Sequence, residues 1–172
     1  KKDGEEISVD ITSEHFHLGH RAVHISAIRD ITAKKLAEKA LKQSNERLNT
    51  IFDSMDALVY IADMETHQIL FTNRYGRKAW GDIRGQTCWR IFQKDQDGPC
   101  AFCTNEKLLD KDGNPTGVHV REFQNTVNGK WFDCRDLAIP WTDGRMVRME
   151  IAIDITEQKK MKNHLEELVE ER

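Results

Sequence analysis

Apolar and polar residues alternate over residues 5–31, with Val23, Ile25 and Ala27 on one face. A turn at Leu18-Gly19-His20 divides that stretch into two strands. From Ala33 to about Met55 the period changes. Ala37, Leu41, Ser44, Leu48, Ile51 and Met55 follow at alternating steps of four and three, the seam of a coiled coil, and Lys, Glu, Gln and Asn fill the remaining surface. The last turn (Leu48, Ile51, Phe52) is expected to pack on its own domain, and the earlier turns on a partner helix.

Ala57-Leu58-Val59-Tyr60-Ile61-Ala62 reads as a short strand, and a polar turn at 63–67 leads into a second, Gln68-Ile69-Leu70-Phe71-Thr72. Asn73 stands where an N-cap belongs, ahead of a short helix through Trp80 that Gly81 ends. Residues 82–111 hold broken helical pieces, one of them at 104–111, punctuated by Gly85, Gly98 and Pro99. Three strands follow, at roughly 117–126, 131–141 and 146–155, joined at Asn128-Gly129 and Asp143-Gly144. A helix over 156–172 closes the chain, with Met161, Leu165 and Leu168 on one stripe. The sum is an α+β domain: a five-stranded antiparallel sheet with short helices on one face, flanked by coiled-coil-like helices.

One tripeptide organises this order. Asp30-Ile31-Thr32 recurs as Asp154-Ile155-Thr156, 124 residues later (154 − 30), and each copy closes a strand and opens a charged helix. Modules strung in series produce that spacing. The expected layout is residues 1–32 as the last strands of one module, 33–47 as a linker helix, 48–157 as a complete module and 158–172 as an outgoing helix. Both ends read as cut from something longer.

Composition narrows the function. The net charge is −3, from 26 basic and 29 acidic residues, which points away from nucleic acid and anionic membranes. No apolar run approaches the roughly 20 residues of a membrane span, and the chain is expected to be cytoplasmic. No catalytic machinery is visible. His17 and His20 flank a turn, His164 lacks the phosphoacceptor pattern of histidine kinases, and Gly129-Lys130 lies in a hairpin rather than a phosphate loop.

The cysteines are the unusual chemistry. Cys88, Cys100 and Cys103 form C-x11-C-x2-C, and Cys134 stands in a predicted strand. Two thiolates on one tight turn suit a tetrahedral ion, and Cys134 would supply a fourth ligand if it faces the helices, for structural zinc or a sensing iron–sulfur centre. Two other readings stand beside this one: a metal-free redox dithiol, and thiols buried as small apolar residues. Cys134 and Arg135 alternate across their strand, so only one of them faces the helices. Phe71, Trp80, Trp89, Phe92, Phe102, Phe123 and Trp131 are candidates to line a cavity between helices and sheet, or simply to fill the core.

From Leu48 to Lys160 the chain resembles the PAS sensory domain family. The resemblance is carried by Val59-Tyr60-Ile61-Ala62-Asp63, Ile69-Leu70-Phe71-Thr72-Asn73, Trp80-Gly81-Asp82-Ile83-Arg84-Gly85 and Asp154-Ile155-Thr156-Glu157-Gln158-Lys159-Lys160. It implies strand order 2-1-5-4-3, with helices cupped over one face around a small cavity. It also implies an input module of a multidomain histidine kinase, diguanylate cyclase or transcriptional regulator. Asp154, Ile155 and Thr156 would then couple the fifth strand to the outgoing helix, besides capping it. Gly85-Gln86-Thr87-Cys88-Trp89-Arg90 resembles the cysteine motif of the light-oxygen-voltage branch. Thr87 replaces its asparagine and Trp89 its arginine, so flavin is not expected. Heme is not expected either, since 104–111 lacks the histidine that heme-binding relatives use. The expected function is a sensor that homodimerises through its flanking helices and relays a ligand, redox or metal state to an output domain. The alternative is a dimerisation spacer that senses nothing and has a structural core that zinc would stabilise.

Overall fold

The computed structural model describes Gly4 and residues 6–170 and divides the chain into two compact units, meeting at Thr50/Ile51. The first unit is a hairpin of β1 (Val9–Leu18) and β2 (Arg21–Asp30), followed by most of α1 (Thr32–Ser54). Every residue of the hairpin is paired, from Val9 with Asp30 to Leu18 with Arg21, and the turn is made by Gly19 at φ 61°. Ile11, Leu18, Ile25 and Ile28 are exposed. A two-stranded ribbon of this kind buries too little to be stable by itself.

The second unit is built on a five-stranded antiparallel sheet of β3 (Leu58–Asp63), β4 (Ile69–Thr72), β5 (His119–Gln124), β6 (Trp131–Pro140) and β7 (Met146–Asp154), in the order β4-β3-β7-β6-β5. Numbered within the unit, that order reads 2-1-5-4-3. Two short helices, α2 (Arg74–Trp80) and α3 (Cys88–Phe92), lie between β4 and β5, and α4 (Thr156–Glu170) follows β7. The piece expected as a helix at 104–111 is only a 3-10 turn at Asn105–Lys107. Beyond it the backbone bonds elsewhere: Leu109 bridges to Pro115, and the Gly113 amide donates to the Asp110 carbonyl at 3.0 Å in a turn.

Asn73 does more than cap α2. Its Oδ1 accepts from the Gly76 and Val59 amides at 3.2 and 3.1 Å, and its Nδ2 donates to the Phe52 and Ala57 carbonyls, both at 2.9 Å. One buried amide therefore ties the end of α1, the start of β3 and the start of α2. Gly76 follows from the same packing: a Cβ there would lie 2.1 Å from Thr72 Oγ1 and 2.8 Å from Leu58 Cδ1.

The core lies on one face of the sheet, where Leu58, Tyr60, Ala62, Phe132, Cys134 and Ala152 meet Ile83, Cys88 and Phe92. A bulge sets which side chains of β4 join it. Ala62 pairs with Ile69 and Ile61 with Phe71, so Leu70 is the extra residue. Ile69 is thereby buried with the core, while Phe71 faces the other way with Ile61 and packs on Phe52, ring centroids 5.7 Å apart.

The two Asp-Ile-Thr copies make the same bonds. The carboxylate of Asp30 accepts from the Thr32 amide at 2.9 Å, and that of Asp154 from the Thr156 amide at 3.0 Å. Thr32 Oγ1 accepts from the Ser8 amide and Thr156 Oγ1 from the Trp131 amide. The Ile31 amide donates back to Ser8, as the Ile155 amide does to Trp131. Each copy thus caps a helix and stitches its strand to the neighbouring one.

Candidate functional site

Cross-strand register assembles the site on the core face. Leu58, Ala152, Cys134 and Arg121 form one row across four strands; Tyr60, Glu150 and Asp136 form the next; Ala62, Arg148 and Ala138 form a third. The alanines on either side of Arg148 leave space for its long side chain to lie across the sheet. It does so almost fully buried. Its Nη2 donates to the Tyr60 hydroxyl at 2.8 Å and its Nη1 to Asn105 Oδ1 at 3.2 Å, and the guanidinium stands 5.5 Å from the Tyr60 ring. Tyr60 in turn donates to Glu150 Oε2 at 2.7 Å. Arg121 reaches the same Oε2 at 3.4 Å and Asp136 Oδ2 at 3.3 Å, with its guanidinium against Phe102 and Phe123.

Tyr60, Arg121, Arg148 and Glu150 line a cavity of about 50 Å³ together with Trp80, Trp89, Phe92, Phe102 and Phe123. A water needs about 10–15 Å³ by the same measure. The space therefore suits a molecule of a few heavy atoms. It lies well below the range of about 300–1,000 Å³ typical of pockets for drug-sized ligands. Arg121 Nη1 has no hydrogen-bond partner among the described residues, so polar capacity remains on the wall, while Arg148 Nε and Asp136 Oδ1 face each other as an ion pair at 3.9 Å.

Two carboxyls so close together titrate apart. Burial and the neighbouring Glu150 push Asp136 up, to about 7. Burial acts on Glu150 too, but the Arg148 and Arg121 guanidiniums outweigh it and hold that carboxyl low. In the unfolded chain Asp136 loses its proton near pH 4, whereas the folded protein retains it until about 7. The native state binds the extra proton in that window, so the Asp136 contribution is complete below pH 4 and fades as pH rises through 7. Unfolding free energy should fall by up to about 1.4 kcal/mol per pH unit between roughly pH 5 and 7, and Asp136→Asn should flatten that slope in urea titrations.

All four cysteines lie on the cavity wall. Cys134 is buried and Arg135 faces solvent, which settles their alternation. Cys88 Sγ accepts from Arg148 Nη2 at 3.4 Å and Cys103 Sγ from Arg148 Nη1 at 3.5 Å. Among the described residues no group of three or more His, Cys, Asp or Glu side chains is arranged to hold a metal ion. Two of the thiols expected as ligands instead share the Arg148 guanidinium as a hydrogen-bond donor. Of the aromatics expected at the cavity, Phe71 is absent because of the β4 bulge. Trp131 is absent because it alternates with Phe132; its ring lies 5.1 Å from Lys159 Nζ on α4.

The sequence reading missed Arg148, Glu150, Asp136 and Arg121. A signal was present. In Met146–Asp154 the apolar set Val147, Met149 and Ile151 occupies one face and Arg148, Glu150 and Ala152 the other. On a central strand with helices over one face, such alternation places charge either in solvent or in the core.

Comparison with known proteins bears on the fold. Residues 46–112 match a family model described as PAS domain. The PAS domain of an HTR-like protein from Haloarcula marismortui is similar over 70% of this chain and 99% of that one, at 20% identity and a TM-score of 0.51. An RNA-binding light-oxygen-voltage receptor is similar over 96% of this chain and 44% of that one, at 13% identity and a TM-score of 0.51. A sensory box sensor histidine kinase from Vibrio cholerae is similar over 68% and 93%, at 14% identity and a TM-score of 0.40. No curated protein matches the sequence. Residues 46–112 thus match a PAS-domain model, and the unit from Ile51 onward has the fold of a PAS domain, an antiparallel sheet faced by short helices around a small cavity.

Proposed function

We propose that this chain is a cytoplasmic sensor and dimerisation module of a signalling protein such as a histidine kinase or diguanylate cyclase. It passes the state of its core cavity through its flanking helices to an output domain and performs no catalysis itself. One observation carries this reading. β7 holds Arg148 and Glu150 at the cavity and runs without interruption into Asp154, Ile155, Thr156 and α4. A change at either charged side chain is thus applied to the strand that enters the helix, six residues downstream of Arg148 (154 − 148).

Residues 1–32 are read as the closing strands of a preceding PAS domain, because their Asp-Ile-Thr repeats the bonding of the second copy. Dimerisation is supported by the stripe on α1, where Leu41, Leu48 and Ile51 are exposed, and by Met161, Leu165 and Leu168 on α4. No helix among the described residues is long and apolar enough to cross a membrane. The small cavity favours a second reading, a dimerising spacer that senses nothing.

Sedimentation equilibrium should give a dimer, and Leu41→Asp with Leu48→Asp a monomer; a wild-type monomer overturns the dimer. Spin labels at position 162 on α4 separate sensor from spacer. Tyr60→Phe removes the hydroxyl between Glu150 and Arg148 and should shift the inter-label distance. An unchanged distance in a folded variant favours the spacer.

A further inference from the structure

Cys88 and Cys103 are the two thiols that share a donor. The nitrogens of a guanidinium are held side by side in one plane. Sulfurs 3.4 Å from Arg148 Nη2 and 3.5 Å from Arg148 Nη1 are therefore gathered at one end of a single fork. A second tie draws them together. Cys103 Sγ lies 4.0 Å from His67 Nε2, and the His67 carbonyl accepts from the Cys88 amide at 2.9 Å. Cys88 is fixed at the first turn of α3, while Cys103 lies in the irregular stretch between α3 and the 3-10 turn. That stretch can close on Cys88 without breaking a helix or strand. Burial pushes the Cys100 thiol up to about 11 and raises that of Cys88 as well, so it is the shared Arg148 donor that singles out Cys88 and Cys103.

We propose that Cys88 and Cys103 form a dithiol that peroxide oxidises to an intramolecular disulfide, making the cavity wall a redox input site. Cys103 is half-buried, whereas Cys88 is buried, so the oxidant meets Cys103 first. Its thiolate attacks one peroxide oxygen, the O–O bond breaks, hydroxide leaves and Cys103 becomes a sulfenic acid. The Cys88 sulfur then attacks the Cys103 sulfur; the S–S bond forms, the S–O bond breaks and a second hydroxide leaves. The two thiol protons join the two hydroxides as water, and two electrons pass from the sulfur pair to the peroxide. Arg148 then faces a disulfide in place of two separate thiol acceptors. That α4 reads this change rests on the relay proposed above.

The test starts from fully reduced protein and adds hydrogen peroxide, with intact mass and peptide mapping as readouts. The expected result is a loss of about 2 Da, the two thiol hydrogens, with one cross-linked peptide joining Cys88 to Cys103, reversed by dithiothreitol. The bond should persist in Cys100→Ser with Cys134→Ser and disappear in Cys103→Ser. A bond mapped to Cys100–Cys103 or between chains, or sulfinic acid without pairing, overturns the proposal. Spin labels on α4 in the same samples keep the two ideas apart. A Cys88–Cys103 bond with an unchanged label distance supports the dithiol and refutes the relay, whereas no bond refutes the dithiol and leaves the relay standing.

Discussion

Arg148→Met lowers the unfolding free energy by about 3–5 kcal/mol, the loss typical of removing one partner from a buried charge pair. Methionine fills much of the same volume, so the change reports charge and hydrogen bonding more than packing. Without the guanidinium, Tyr60 loses its donor, Asn105 its partner, and Cys88 and Cys103 theirs. Glu150 keeps only Arg121 at 3.4 Å as a counter-charge. Burial already works to protonate Glu150, and Arg148 is the larger of the two cations opposing it. In the variant the Glu150 carboxyl therefore shifts upward and takes up a proton. Urea unfolding of Arg148→Met, Glu150→Gln and the double variant closes a thermodynamic cycle. The double variant should be more stable than the sum of the single losses predicts, because the Glu150 charge that Arg148→Met strands is removed with it. Strict additivity, or a loss below about 1 kcal/mol for Arg148→Met, would show that the two side chains are not energetically coupled.

Asn73→Ala is expected to cost about 3 kcal/mol or more, well beyond the loss of about 1 kcal/mol for an ordinary N-cap. A cap that only accepts from α2 would give the smaller figure. This amide also accepts from Val59 and donates to Phe52 and Ala57, and truncating it leaves those buried backbone groups without partners. Asn73→Asp sharpens the test. The carboxylate keeps both acceptor roles but sets negative charge against the Phe52 and Ala57 carbonyls, so it should be no more stable than the alanine variant at neutral pH. An aspartate that restores stability would reduce Asn73 to a helix cap. Urea denaturation of the three proteins decides between the two roles.

Much of the architecture can be read without coordinates, and particular residues show why. The hairpin around Gly19, the helix from Thr32, the cap at Asn73 with its stop at Gly81, and the strands ending at Asp154 all rest on local physics: side-chain period, capping groups and φ > 0 at glycine. The equivalence of the two Asp-Ile-Thr copies is legible for the same reason, since each Asp acts on the amide two residues on; the threonine bonds to Ser8 and Trp131 needed the strand pairing. Where local signals were weak the reading failed. Residues 104–111 have helix-compatible composition, but the chain there turns through Asp110 and Gly113 instead.

The site is different in kind. Cys88, Cys100, Cys103, Trp80, Trp89, Phe92 and Phe123 are conspicuous in the sequence, and a shared cavity for them was a reasonable expectation. What divides Phe71 from Ile69 is one bulged residue, and what places Trp131 outside is its parity with Phe132. Neither leaves a mark in composition. The polar core is harder still. Tyr60 and Arg148 are 88 residues apart, and Tyr60 and Glu150 are 90 apart. They meet only because β3 and β7 are neighbours in the sheet while lying at opposite ends of the domain in sequence. The elements, their order and the coupling of a strand to each charged helix are legible in the sequence alone, since each depends on residues within a turn or two of one another, whereas the cysteines at 88, 100, 103 and 134 meet only in the fold. The tertiary structure alone places two arginines and Glu150 in the cavity with those thiols, and Asp136 beside them. Strand register across the sheet, not any local preference, chooses which side chains face one another.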